Sequence, residues 1–226
     1  NEEFIELYNP TDSLASLSDW SLQYLSTSAD SIDEIKKKNF SDGAAIPAKG
    51  FYLVGAGDYE GSTTPNMTWS QSLNNTAGTV FLVSSTTSII ASDDFIIIDK
   101  IAYSSPEAST SNMLLGEGAA VELPTSGNSL ERKVLNNDLC VIAQDLVSST
   151  SPNSVEFLGN GCDTNSNQSD FYTRNIPNPQ NINNFSEPRN APVISGDLQF
   201  DFDQSNLALT TSWSAADYNN SSSTLS

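Results

Sequence analysis

Glu3-Phe-Ile-Glu-Leu-Tyr-Asn-Pro10 and Asp19-Trp-Ser-Leu-Gln-Tyr-Leu25 are the two stretches that decide the fold class. The first is a short run of strand-favouring residues stopped by Asn9-Pro10, because proline has no N–H with which to continue a ladder. The second alternates, and a period of two places Trp20, Leu22 and Tyr24 on one face of an extended chain. The same texture recurs downstream. Ile46-Pro-Ala-Lys-Gly50 reads as a turn into Phe51-Tyr-Leu-Val54, and Gly55-Ala-Gly57 as the break after it. Ala77-Gly78 leads into Thr79–Val83, and the apolar run from Phe95 to Tyr103, interrupted by Asp99-Lys100, suits a central strand. Shorter strands are expected near Ala119–Leu123 and Ser129–Val134. No window long enough for a helix keeps an i, i+3, i+4 apolar spacing. Short strands separated by Gly, Pro and Asn turns specify an all-β sandwich.

Composition agrees. The chain has 226 residues, enough for one large domain or one domain and part of another. Its 10 Phe, 7 Tyr and 3 Trp can bury a sizeable core although only 37% of residues are hydrophobic. With 28 acidic against 9 basic residues the net charge is −19, which repels phosphate backbones and anionic membranes. The only basic run, Lys36-Lys37-Lys38, reads as a solvated edge strand or loop protected by lysines. There is no histidine. That removes Ser-His-Asp and Cys-His nucleophiles and histidine-based zinc sites, and two cysteines cannot complete a zinc site either. Cys140 and Cys162 stand 22 positions apart in polar, turn-rich stretches. A disulfide between them is expected, and closing that loop is worth roughly 3 kcal/mol in the chain-entropy picture. Such a bond belongs to an oxidising compartment. No signal peptide or transmembrane run is visible; residue 1 is not a start methionine, so nothing follows from the missing leader.

From about Asn175 the texture changes. Pro177, Pro179, Pro188 and Pro192 and many asparagines mark a linker or an extended closing segment. Beyond it, Val193–Phe200 and Leu207–Trp213 read as fresh strands, the second placing Leu207, Leu209, Thr211 and Trp213 on one face. The expected organisation is a sandwich over residues 1–185, a linker over 186–192, and over 193–226 the start of a second β-sandwich that the chain is too short to complete.

Three stretches, in order, resemble the lamin tail domain family. Glu3-Phe-Ile-Glu-Leu-Tyr-Asn-Pro10 with Leu17-Ser-Asp-Trp-Ser-Leu22 resembles its opening E-(F/W)-(I/V)-E-L-Y-N-P … L-S-G-W-x-L. Ile46-Pro-Ala-Lys-Gly-Phe-Tyr-Leu-Val54 is similar to its I-P-A-G-G-Y-L-L-V turn and strand. Ser129-Leu-Glu-Arg-Lys133, Asp163-Thr-Asn-Ser-Asn-Gln-Ser-Asp-Phe171 and Pro177-Asn-Pro-Gln-Asn181 look like the closing motifs of prokaryotic members. The resemblance spans nearly all of 1–185 and implies an immunoglobulin-like β-sandwich without catalytic residues, found in exported, multidomain proteins. Two departures follow from the comparison: a first strand that the family carries is missing before Glu3, and the stretch after Cys140 is a longer insertion. The tail around Leu209-Thr-Thr-Ser-Trp-Ser-Ala-Ala-Asp217 resembles the opening of a fibronectin type III sandwich.

One constellation carries metal chemistry. Asp163, Asn165, Asn167 and Asp170 place oxygens as a calcium loop begins, since a hard cation wants several oxygens from one tight turn. Gln168 stands where such a loop has glycine and Arg174 where it has its bidentate glutamate. The competing reading is that these side chains cap their own backbone turns. Glu131 and Arg132 read as cross-strand ion pairs or solvated positions, and Asp93, Asp94 and Asp99 as charges guarding an apolar strand. Gly55, Gly57 and Gly61 lack the helix and lysine of a phosphate cradle. Trp20 and Trp213 fit a core, whereas Trp69, in a Thr/Ser/Gln-rich loop, is the candidate for ligand contact. The function expected is a non-catalytic structural or interaction module of a larger exported or cell-surface protein. Its expected partners are adjacent domains of the same polypeptide or an extracellular protein or polysaccharide, with no nucleic acid and no membrane insertion. The alternative is a carbohydrate- or cell-wall-binding module, calcium-assisted, working through Trp69 and the Asp163 loop.

Overall fold

A computed structural model describes residues 2–108, 114–136, 138–142, 159–187, 193–194, 199–203, 208–216 and 222–225. The insertion after Cys140 and the 188–192 part of the linker lie largely or wholly outside them. In chain order the strands are β1 (Phe4–Tyr8), β2 (Ala15–Ser16), β3 (Ser21–Ser26), β4 (Lys36–Asn39), β5 (Ala45–Ile46), β6 (Phe51–Ala56) and β7 (Met67–Trp69). They continue with β8 (Ala77–Val83), β9 (Ile97–Ser104), β10 (Val121–Glu122), β11 (Ser129–Arg132), β12 (Val134–Asn136), β13 (Leu139–Val141) and β14 (Phe171–Arg174). The one α-helix among the described residues, α1 (Asn167–Asp170), is a single turn. The protein is all-β.

Two sheets form the sandwich. One has the order β10-β9-β8-β3-β4, antiparallel except that β10 runs parallel to β9; the other is β1-β6-β7, with β7 parallel to β6. Leu22 and Tyr24 of β3, Val80 of β8, Tyr103 of β9 and Val121 of β10 meet Tyr52 and Val54 of β6 in one buried cluster, with Ile5, Leu7, Met67 and Trp69 packed against it. Alternation thus puts β3 where the sequence reading placed it, with Trp20 partly buried at its start. Lys36–Asn39 is an edge strand, as its lysines suggested. The β9 strand does sit between two neighbours, but it begins at Ile97, and Phe95 is 94% exposed.

The polar half of the β3 alternation is as buried as the apolar half. Ser21 and Gln23 have 0% exposure because a second cluster, Leu25, Phe81, Val83 and Ile89, covers the far face of the large sheet. Gln23 accepts from Ile89 N at 3.0 Å and donates to Thr87 O at 2.8 Å, fastening the 85–89 loop over that face. Asn9 does the same at the β1 end: its amide donates to Ser13, Ile46 and Pro47 carbonyls and accepts from Thr11 N and Oγ1. Buried amide side chains satisfy loop backbone that no ladder reaches.

Residues 176–187 are a closing segment pinned to the sandwich, and Glu187, read as linker, is 4% exposed with its N–H on Lys49 O at 2.7 Å. Beyond it, β15 (Val193–Ile194), β16 (Gln199–Asp203) and β18 (Ser222–Leu225) all pair antiparallel with β17 (Ala208–Ala216), an arrangement separate from the two sandwich sheets. The side chain of Trp213 lies outside the described residues.

Asp19 and Lys49 adopt left-handed backbone, φ 64° and 56°. Asp19 is exposed at the third position of a turn closed by Trp20 N to Leu17 O at 3.0 Å. Asp19→Gly removes Cβ strain there and is expected to raise stability by up to about 1 kcal/mol, read as an upward shift of the denaturation midpoint.

Candidate functional site

The Asp163 loop and α1 sit against β9, β10 and β14. Asp163 Oδ1 accepts from Asn165 N at 3.1 Å, and Asn165 takes the left-handed φ of 57° that asparagine tolerates. Asp170 is fully buried. Its Oδ2 accepts from Thr164 N and Ser166 N at 3.0 and 3.2 Å, its Oδ1 from Thr164 Oγ1 at 2.6 Å, and Arg132 Nη1 stands 4.0 Å away. The loop therefore winds around its own aspartate, as in the turn-capping reading.

Asn167 is also fully buried and points the other way. Its Oδ1 accepts from Ala102 N at 2.8 Å and Glu117 N at 3.1 Å, while Nδ2 donates to Lys100 O at 2.9 Å. That ties the edge of β9 to the 114–120 segment. Gly116 is required beside it, because a Cβ there would stand 2.4 Å from Ala102 Cβ and 2.5 Å from Asn167 Oδ1. Both Asn167 amide atoms are spent on backbone, so its oxygen is not available to a cation in this arrangement.

Of the four residues singled out as calcium ligands, Asp163 and Asp170 come together, and Glu117 joins them: one oxygen of each lies within 4.8 Å of the others. Asn167 is committed to backbone elsewhere. Burial, then the charges of Asp99 and Asp163, push the Glu117 carboxyl above its ordinary range. Its Oε2 is buried with no hydrogen-bond partner among the described residues. Glu117 had no local signal, since it stands 46 positions before Asp163 (163 − 117).

Cys140 and Cys162 form the expected disulfide, with Cα atoms 5.4 Å apart. It joins β13 to the start of the Asp163 loop. Arg132 completes the knot: Nη2 reaches both Asp99 oxygens at 2.7 and 2.6 Å, Nη1 donates to Cys162 O at 2.9 Å, and the guanidinium lies 4.5 Å from the Phe171 ring centre. Asp99, its side chain 40% exposed, is thus an ion-pair partner of Arg132 at the rim of the knot. Burial raises its carboxyl and Arg132 opposes that. Glu131 pairs across the β11–β14 ladder with Arg174 at 2.8 Å, as alternating charges at a strand end suggested.

Trp69 is half-buried and packs against the core between the sheets. Beside it an open cleft of about 250 Å³ is lined by Ala56, Gly57, Asp58, Ser70, Gln71 and Ser72. Comparison with protein-family models and with curated proteins found no match to this chain.

Most donors and acceptors of the knot are matched inside it, the Glu117 Oε2 excepted. Asn167→Asp puts a carboxylate oxygen against the Lys100 carbonyl and is expected to lower unfolding free energy by about 2–4 kcal/mol, measured by urea denaturation. Because donors already hold both Asp170 oxygens, millimolar Ca²⁺ against chelator is expected to leave the melting temperature unchanged. A rise would mean that Glu117, Asp163 and Asp170 close on the ion.

Proposed function

We propose that residues 2–187 are a non-catalytic, lamin-tail-type immunoglobulin-like module of a larger exported or cell-surface protein, which spaces and presents neighbouring domains. The observation that carries the proposal is the fate of the buried and partly buried polar groups. Asp99, Arg132, Asp170, Asn167, Glu131 and Arg174 are each committed to holding one layer to another, which leaves loops and sheet edges as the surfaces through which the module works. Two further features support the family reading. The two sheets enclose one core between them, and the left-handed residues Asp19 and Lys49 fall where the lamin-tail pattern has glycine, the residue that such backbone favours. The disulfide and the absence, among the described residues, of a helix long and apolar enough to cross a membrane are compatible with an extracellular setting.

A second reading, polysaccharide binding, is favoured by the cleft beside Trp69. Asp58, Ser70, Gln71 and Ser72 line it, polar residues of the kind that hold a sugar, and Trp69 precedes Ser70 in the chain without lining the cleft itself.

The two readings separate on the purified chain. Presentation to a glycan array and to insoluble cell-wall polysaccharide is expected to give no retention, and assays with glycan, peptide and phosphoester substrates no turnover. Retention lost in Trp69→Ala would establish the second reading in place of the first, and reproducible hydrolysis would overturn both. A spacer module should also resist protease at 37 °C while oxidised and become susceptible once dithiothreitol opens the Cys140–Cys162 bridge, which is worth roughly 3 kcal/mol.

A further inference from the structure

We propose that Asn160-Gly161 is a deamidation site shielded by the closed Cys140–Cys162 bridge, and that opening the bridge lets Asn160 convert irreversibly to aspartate or isoaspartate. It is the only Asn-Gly pair in the sequence and stands directly before Cys162. The reaction needs nothing but the chain and water. The Gly161 nitrogen gives up its proton and attacks Asn160 Cγ. That C–N bond forms, the Cγ–Nδ2 bond breaks, and the amide nitrogen takes up a proton and leaves as ammonia. Water then opens the five-membered imide at either carbonyl, giving an aspartyl or an isoaspartyl residue, with no change of oxidation state. The residue after the asparagine must leave its nitrogen open to approach, and glycine, having no Cβ, leaves it most open.

Inside the fold both reacting groups are occupied. The Gly161 N–H donates to Gly159 O at 2.9 Å, which closes a tight turn centred on Asn160. Asn160 Nδ2 donates to Arg132 O at 2.6 Å and to Glu131 Oε1 at 3.4 Å, so the side chain is held on β11. Cys162 continues the attachment: its N–H donates to Lys133 O at 3.1 Å and its carbonyl accepts from Arg132 Nη1 at 2.9 Å. The disulfide then fastens the same residue to β13. Attack requires the Asn160 side chain to leave Arg132 and the Gly161 N–H to leave Gly159. Residues 159–162 must therefore lift away from β11, and the bridge resists that at the adjoining position.

The glycine that makes Asn160 reactive is not one the backbone demands. At Gly161 φ lies outside the left-handed region, and a Cβ would meet only Pro10 Cβ at 3.9 Å and Tyr8 Cε1 at 4.0 Å. Gly159 differs, since its φ is 80° and a Cβ there would run into Tyr8 Oη. The product cannot restore the shield. A carboxylate has no N–H for Arg132 O and stands beside Glu131, a charge of its own sign, while isoaspartate adds a methylene to the main chain.

Peptide mapping of the whole chain after incubation at 37 °C and mildly alkaline pH tests this, with fragment ions locating aspartate and isoaspartate at position 160. Conversion in the oxidised chain is expected to be about a hundredfold slower than in chain unfolded by urea and reductant. Cys140→Ser/Cys162→Ser, or dithiothreitol on the wild type, should speed it by about tenfold or more while β8 amides keep their hydrogen-exchange protection. Gly161→Ala should keep the wild-type denaturation midpoint and, in the bridge-less chain, slow conversion again by about tenfold or more. Asn160→Asp should lower the midpoint. Equal conversion with the bridge closed and open, or a rise that comes only with loss of β8 protection, would overturn the proposal. So would undiminished conversion in Gly161→Ala or a wild-type midpoint in Asn160→Asp.

Discussion

A backbone N–H or C=O taken out of water must find a partner, and most of this molecule's architecture answers that demand with carboxamides. Both sheets are covered on their outer faces by irregular chain, and irregular chain has no ladder to bond to. Gln23 clips the 85–89 loop, Asn9 ties the chain after β1 to the 46–47 turn, and Asn167 binds three backbone groups of β9 and the 114–120 segment at once. Each can donate and accept simultaneously without carrying charge, which a carboxylate, hydroxyl or ammonium cannot do with the same reach. The asparagine-rich composition therefore has a structural use beyond turn formation.

Charge is distributed by a related logic. In a chain of net charge −19, the two arginines of the described residues are placed where acids are buried. Arg132 holds Asp99 and approaches Asp170, while Arg174 holds Glu131. Among the described residues Glu117 near the first and Glu6 near the second have no ion pair with either guanidinium. Burial keeps both nearer to protonation than an exposed glutamate. Breaking either arginine would strand a buried carboxylate, a larger loss than the pair contributes when intact.

The fold was largely legible in the sequence because strand period and turn chemistry are local. Phe4–Tyr8 stops at Asn9-Pro10, Ser21–Ser26 alternates, and Phe51–Ala56 follows its turn, each read from neighbouring residues. The disulfide was legible because two cysteines allow one pairing. The Asp163 loop was legible only halfway. Its Asp and Asn spacing fits a cation loop and a capped turn equally well, and the choice depends on which side chains turn inward. Asp170 turns inward towards donors of its own loop, while Asn167 turns the other way, towards backbone supplied by segments far away in the chain. Asp99 is a related case: beside Asp93 and Asp94 it reads as one more charge guarding an apolar strand, and only the fold brings Arg132 to it from β11.

The sequence by itself determined the strands, their turns, the absence of histidine chemistry and the covalent link, all of which depend on residue type and spacing along the chain. Tertiary structure alone decided which polar residues lie inside, that residues 176–187 close the sandwich instead of leaving it, and that Glu6 and Glu187 stand near the Glu131–Arg174 pair. Those outcomes depend on contacts between residues far apart in the chain, from 33 positions for Arg132 and Asp99 to 179 for Tyr8 and Glu187, where burial sets the cost of each charge and unpaired amide, and no local pattern records that cost.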